Sequence, residues 1–207
     1  MKLKPPAETF DLKRNFIERA KVLSGRKYAE VYLIRKSQQR YVMDFIYNLS
    51  IEGGMYLKIC FAASSGGHLE QLMMLYPMMK NHKSFILTEK TKYKFSTNDI
   101  KAYDVTQMNR HEFLFVIKLL ILIIESLIIF LKEKPEVVIS TGALATIPIC
   151  LLSKLFRKKL IFIESFSKIT SPTMTGKLMS KIADLVIIQW DDLKRFYPNA
   201  IYGGGIY

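Results

Sequence analysis

A Rossmann-like α/β fold, a parallel sheet with helices on both faces, is predicted by three features of the sequence. From Tyr56 onward short apolar runs alternate with helical patterns, the signature of strands joined by crossover helices. Three of these runs end in small-residue turns that would meet along one sheet edge: Phe61-Ala62-Ala63-Ser64-Ser65-Gly66-Gly67-His68, Val137 to Ala143, and Leu160 to Ser165. Half of the 207 residues are hydrophobic, enough for one well-buried domain with a short appendage.

The elements follow in order. Leu57 to Ala63 is the first strand, and Leu69 to Lys80 a helix with apolar positions at Leu72, Leu75, Met78 and Met79. Ser84 to Thr88 is the second strand, and Ile100 to Val105 a short third. A long helix from Glu112 to Lys132 is stopped by Pro135. Then come a strand at Val137 to Ser140, a helix near Ala145 to Phe156, a strand at Leu160 to Glu164 and a helix at Thr173 to Ile182. A strand at Leu185 to Gln189, a short helix at Asp191 to Phe196 and a last strand near Ile201 complete the pattern. Residues 1–54 have few strand-like runs and end in Gly53-Gly54, so they are set apart as an N-terminal extension, with the domain proper at 55–207.

The formal charge of +13 is spread over the chain, with 11 basic against 6 acidic residues in 1–54 and 20 against 12 in the remainder. An anionic partner is favoured by this balance. Lys90 to Phe95 interleaves lysine with aromatics as a nucleic-acid groove does, but no nucleic-acid motif accompanies it, so nucleic acid is not the expected partner. Cys60 and Cys150 sit in apolar runs at a separation that fits neither a zinc nor a redox motif, and no metal site is expected. Met1 to Asn15 lacks the apolar core of a secretory signal.

Phe113 to Leu131 holds 16 apolar residues in 19, interrupted by Lys118, Glu125 and Ser126. Its length approaches a membrane span, but the strands on either side belong to one sheet, which a single crossing would divide. Lys118, Glu125 and Lys132 recur every seven residues as one polar stripe on an apolar cylinder. Two readings remain: a buried core helix, or a helix lying in the membrane interface through Phe113, Leu114, Ile117, Leu120, Ile121, Ile124 and Ile128, with Arg110, Lys132 and Lys134 near anionic head groups.

The turn Ser64, Ser65, Gly66, Gly67, His68 leaves backbone N–H groups at a helix start, a candidate phosphate cradle; adjacent glycines also permit close strand-to-helix packing. It is not a dinucleotide fingerprint, and Glu89 lies past a short second run, so a dehydrogenase is disfavoured. His68 suits a phosphate contact or a general base. Thr141, Gly142 and Ala143 repeat the design at the next strand end. Glu164 is the best-placed carboxylate for a sugar hydroxyl or a proton, with a cap or ion pair as the alternative role, and Asp191 and Asp192 are simplest as helix caps.

The segments SSGGHLEQL (64–72), KPEVVISTGALATIP (134–148), FIESFSKITSPTMTGKLMSKIADLVIIQW (162–190) and YPNAIYGGGIY (197–207) resemble the Alg14 family, and more closely bacterial capsule and exopolysaccharide proteins of the PssD or CpsF type. That resemblance implies the N-terminal half-domain of a GT-B glycosyltransferase, similar to the acceptor-binding half of MurG. It implies membrane association at the cytoplasmic face and a separate Alg13-like (PssE/CpsG-type) catalytic subunit carrying the UDP-sugar donor, with no cofactor on this chain. Carried over by motif, Ser64 to His68 and Thr141 to Ala143 would face the diphosphate of a polyprenyl-linked sugar, with Glu164 at the same cleft. A self-sufficient nucleotide-sugar glycosyltransferase and a non-catalytic membrane adaptor stand as the other functional classes.

Overall fold

The computed structural model describes residues 57–91, 99–109 and 112–205. The extension 1–54 and its boundary at Met55, the basic aromatic run from Lys92 to Phe95, and Arg110 lie outside the described residues. Seven strands form one sheet in the order β3-β2-β1-β4-β5-β6-β7, every neighbouring pair parallel. They are β1 (Lys58–Ala63), β2 (Lys83–Glu89), β3 (Lys101–Val105), β4 (Val137–Gly142), β5 (Lys159–Ile163), β6 (Leu185–Ile188) and β7 (Ile201–Tyr202). The order reverses between β1 and β4, the topological switch point at which open α/β sheets bind ligands.

Alternate strand residues fill two separate cores. Ile59, Phe61, Ile139 and Ile161 pack under α1 (Gly67–Met73) and α2 (Tyr76–Met79), through Leu69, Leu72 and Met79. Cys60, Val138, Leu160 and Phe162 pack on the other face against α3 (Phe115–Glu133), α4 (Ile147–Leu155) and α5 (Met174–Met179). Both cysteines are free and buried, and burial pushes the Cys150 thiol up to about 12, the state of an inert packing residue.

Two expected helices change shape. The run Leu69 to Lys80 divides into α1 and α2 because Pro77 has no N–H to continue the ladder; Leu75 N–H donates to Leu72 O at 3.0 Å instead. The helix at Asp191 to Phe196 is a 3₁₀ segment, Asp191–Arg195, whose N-cap is Trp190. Asp191 and Asp192 therefore occupy the first turn and are not its caps, a place where their charge still complements the helix end.

Helix α3 ends as expected, with Lys134 in the left-handed region (φ 48°) and its N–H on Phe130 O at 2.7 Å, directly before Pro135. Two of its polar residues are tied to neighbouring segments. Glu125 accepts from the Thr106 N–H at 2.7 Å and hydroxyl at 3.1 Å, and Lys118 pairs with Glu112. Val116, Ile117, Leu120, Ile121, Ile124 and Ile128 are exposed, together with Phe113 and Leu114 just before the helix. Leu151, Leu155 and Phe156 continue that surface, Phe156 stacking on Phe130 with centroids 5.1 Å apart. Leu122, Ile129 and Phe130 face the sheet, so α3 is a core helix on one side and an unpartnered apolar face on the other. Among the described residues no helix is long and apolar enough to cross a membrane.

Glu133 fastens the end of α3 to the sheet, accepting from Lys101 Nζ at 2.8 Å and from the Tyr103 hydroxyl and pairing with Lys58. Burial alone would raise its pKa, but the hydrogen bonds from Lys101, Lys58 and Tyr103, with the Lys58 charge, outweigh it and bring the value from 4.5 to about 2. A carboxyl depressed in the fold stabilises above its unfolded pKa and loses that contribution as pH falls through the folded value. Solvent screening at the exposed Lys101 and the part-exposed Lys58 reduces the full effect of the shift, so about 1 kcal/mol should fade between about pH 4.5 and pH 2. Urea denaturation across this window checks it, and Glu133→Gln should flatten that acid limb.

Candidate functional site

The turns after β1 and β4 meet at the switch point and are locked to each other. Between β1 and β4 the register runs Ala62 to Ser140 and then Ala63 to Gly142, so Thr141 is an extra, unpaired residue. Such a bulge re-aims a side chain. The Thr141 hydroxyl donates to the His68 carbonyl at 2.8 Å, and His68 Nδ1 lies 2.8 Å from the Thr141 carbonyl. A carbonyl only accepts, so Nδ1 carries the hydrogen and Nε2 is the acceptor nitrogen of the neutral ring. Ser64 N–H adds a bond to Gly142 O at 3.3 Å.

The β4 turn is strained. Gly142 has φ 102°, and Ala143 follows at φ 74°, ψ 170°, a region glycine occupies and alanine rarely does, at a cost of about 1–3 kcal/mol. Thr146 holds it there, its hydroxyl donating to Ala143 O at 2.9 Å and accepting from Ser140 Oγ at 3.0 Å. Gly66, φ 77°, makes the corresponding turn after β1.

A cavity of about 460 Å³ opens at this lock, lined by Ser64, His68, Ala143, Lys168 and Thr175 with Met108 and Met174 as apolar walls. Of the residues expected to hold phosphate, Ser64, His68 and Ala143 line it, while Thr141 and Gly142 are buried behind it. Gly66 and Gly67 are exposed, and Gly67 borders a second cavity of about 440 Å³ on which His68 also opens. Ser65 departs from expectation. Its N–H and hydroxyl both donate to Glu89 Oε2 at 3.3 Å, so the protein's own carboxylate occupies that part of the anion cradle. Glu89, set aside in the sequence as lying past the second strand, is the last residue of β2; it lines the larger cavity and accepts from Met108 N–H at 3.1 Å.

Glu164 takes up a structural role. It is wholly buried, and its carboxylate accepts from four donors: Ser165 N–H at 2.8 Å, Thr173 N–H at 3.2 Å, the Thr173 hydroxyl at 2.9 Å and the Tyr197 hydroxyl. A carboxylate held this way anchors a loop, which fits the structural role that the sequence left open beside the chemical one. Through it Thr173 is oriented to cap α5, accepting from Gly176 N–H at 2.7 Å. Gly176 is required there because a Cβ would overlap Glu164 Oε2 and the Tyr197 oxygen. Burial first, then the bond and charge of Glu164, push the Tyr197 hydroxyl far above its ordinary range. Gln71 and Gln189 complete the anchor, each donating to the Glu164 carbonyl, at 3.2 and 2.7 Å. Gly176, Tyr197 and the two glutamines carried no signal in the sequence because their meeting point is non-local.

Sequence and structure comparisons find relatives of the domain that carries this site. The family profile described as "Oligosaccharide biosynthesis protein Alg14 like" matches residues 59–206. The mouse protein named UDP-N-acetylglucosamine transferase subunit ALG14 is 35% identical over 82 residues, 37% of this chain and 38% of the relative. Its Schizosaccharomyces pombe counterpart is 32% identical over 75 residues, 34% and 36% of the two chains. These alignments span less than two fifths of the relatives' own length. Among solved structures, Acinetobacter baumannii MurG superposes with a TM-score of 0.56 at 16% identity, over 66% of this chain and 42% of MurG. UDP-N-acetylglucosamine 2-epimerase from Rickettsia bellii gives 0.57 at 14% identity, over 70% and 42%. Both are likenesses of fold.

Proposed function

The chain belongs to the Alg14 family, and from that premise we propose that it is the acceptor-binding subunit of a split glycosyltransferase acting on a polyprenyl-diphosphate-linked sugar. The cavity at the β1/β4 switch point carries this reading. Its mouth holds His68 with a fixed ring, the Lys168 ammonium and a turn kept in a strained conformation, a preorganised setting for a phosphorylated substrate. The relatives' name, a subunit of a UDP-N-acetylglucosamine transferase, supports the reaction class. In this reading an Alg13-like chain brings the UDP-sugar, and the two proteins close on one cleft.

The same proposal places the protein on the cytoplasmic face of the membrane, α3 lying in the interface. Exposed Phe113, Leu114, Ile117, Leu120, Ile121, Ile124 and Ile128 supply the apolar surface, and exposed Lys132 and Lys134 the charge for anionic head groups. The process we assign is assembly of a bacterial capsule or exopolysaccharide, supported by the likeness of the SSGGHLEQL and FIESFSKITSPTMTGK segments to PssD- and CpsF-type proteins.

Ligand choice by the isolated chain tests the acceptor assignment. A ligand bound only by the folded state adds about 2.7 kcal/mol at a hundred times its Kd. Farnesyl-diphosphate-linked sugars should raise the denaturation midpoint accordingly, and UDP-N-acetylglucosamine should not. Stabilisation by the nucleotide sugar alone would reverse the assignment.

A further inference from the structure

The two cavities flanking His68 differ in chemistry, and among the described residues no other lines both. The larger one is lined by Lys168, Ser64 and Thr175, with an apolar wall of Met108, Leu144 and Met174. Met108 lies five residues ahead of Phe113, where the exposed apolar surface of α3 begins. Glu89 also borders this cavity, but both its oxygens are engaged, by Ser65 and Met108. The smaller cavity, about 440 Å³, is lined by Glu70, Gln71, Ser165, Phe166 and Ser167 beside Gly67 and His68, with no lysine or arginine among the described residues. The Ser165 and Ser167 hydroxyls are 3.0 Å apart, and the Phe166 ring packs on Trp190 with centroids separated by 5.0 Å.

Resting on the acceptor reading, we infer that these cavities are two subsites for one lipid-linked sugar, the diphosphate held by Lys168 in the larger and the sugar ring held by Glu70, the serines and Phe166 in the smaller. A doubly charged diphosphate is favoured in the larger cavity, where the Lys168 charge offsets that of Glu89, over the smaller, where Glu70 is joined by no cation among the described residues. A neutral polyol finds the reverse: a carboxylate to accept from its hydroxyls, serine hydroxyls that donate or accept, and an apolar ring edge. The isoprenoid leaves the larger cavity along Met108 toward α3. His68, its ring pinned by Thr141, stands where sugar and diphosphate join and is the positioning contact of both.

Trp190 is the only tryptophan of the sequence, so its emission reports the smaller cavity. The experiment titrates the full chain with farnesyl diphosphate and with its N-acetylglucosamine, glucose and galactose adducts, measuring affinity by calorimetry and tryptophan emission in parallel. Lys168 and Glu70 are both exposed, so their variants keep the fold, which a thermal melt verifies. Lys168→Met should weaken every compound about ten- to a hundredfold, the effect of one lost charge-assisted contact. Glu70→Gln should weaken only sugar-bearing compounds, and emission should change only when a sugar is present. Farnesyl diphosphate binding equally to Lys168→Met and the wild type, or shifting Trp190 emission by itself, would overturn the subsites while leaving the acceptor reading intact. Wild-type protein that binds none of the four compounds would overturn the acceptor reading itself.

Discussion

Glu164→Ala is expected to lower stability by about 3–5 kcal/mol, a large fraction of the roughly 5–15 kcal/mol that holds a domain folded. The side chain is wholly buried and is the shared acceptor of the Ser165 and Thr173 N–H groups and the Thr173 and Tyr197 hydroxyls. Alanine strands all four, and each donor left unsatisfied costs about 1–3 kcal/mol, less when the loop relaxes. Glu164→Gln keeps the shape but turns an NH₂ toward one of the donors, so about 1–3 kcal/mol should be lost. Urea denaturation of both variants gives the comparison. A Glu164→Gln protein as stable as the wild type and devoid of transfer activity would return the residue to the chemistry.

The second large effect concerns α3. Ile121→Asp with Ile124→Asp should move the protein from vesicles to the soluble fraction while leaving the fold in place, since both side chains are exposed. Each isoleucine that half-buries in lipid contributes about 1 kcal/mol, and a carboxylate facing anionic head groups forfeits about as much again. The pair amounts to about 4 kcal/mol, a partition coefficient lower by roughly two to three orders of magnitude. Flotation with vesicles of phosphatidylglycerol and phosphatidylethanolamine measures it. Unchanged flotation would show that this face does not carry the membrane binding.

The central strands β1, β4 and β5 were legible because each is buried on both sides and so reads as a largely apolar run, and they match their expected spans within two residues at each end. Helix ends were harder. Pro77 divided α1 from α2 by removing one donor, a local cause that the apolar spacing of Leu72, Leu75, Met78 and Met79 does not register. At the site, the two glycine turns were legible as punctuation, and His68 and Ser64 do line the cavity. Their partners were not. Ser65 meets Glu89 across 24 positions, Glu164 meets Tyr197 across 33, and His68 meets Thr141 across 73, pairings fixed only once the sheet order is fixed. Lys118 and Glu125 gave the right stripe, and the structure adds its direction: the stripe faces neighbouring segments of the domain and leaves the apolar side outward.

The most direct measurement of the central claim is sugar transfer from a panel of labelled nucleotide sugars to a polyprenyl-diphosphate-linked acceptor, by the purified chain, by its Alg13-like partner, and by the two mixed. Donor and acceptor halves that face one cleft supply the orientation that a single half lacks, an advantage of about 7–11 kcal/mol in favourable cases. Each protein alone should remain at background, with turnover rising on mixing and saturating at one partner per chain. Robust turnover by the purified chain without a partner would contradict the account.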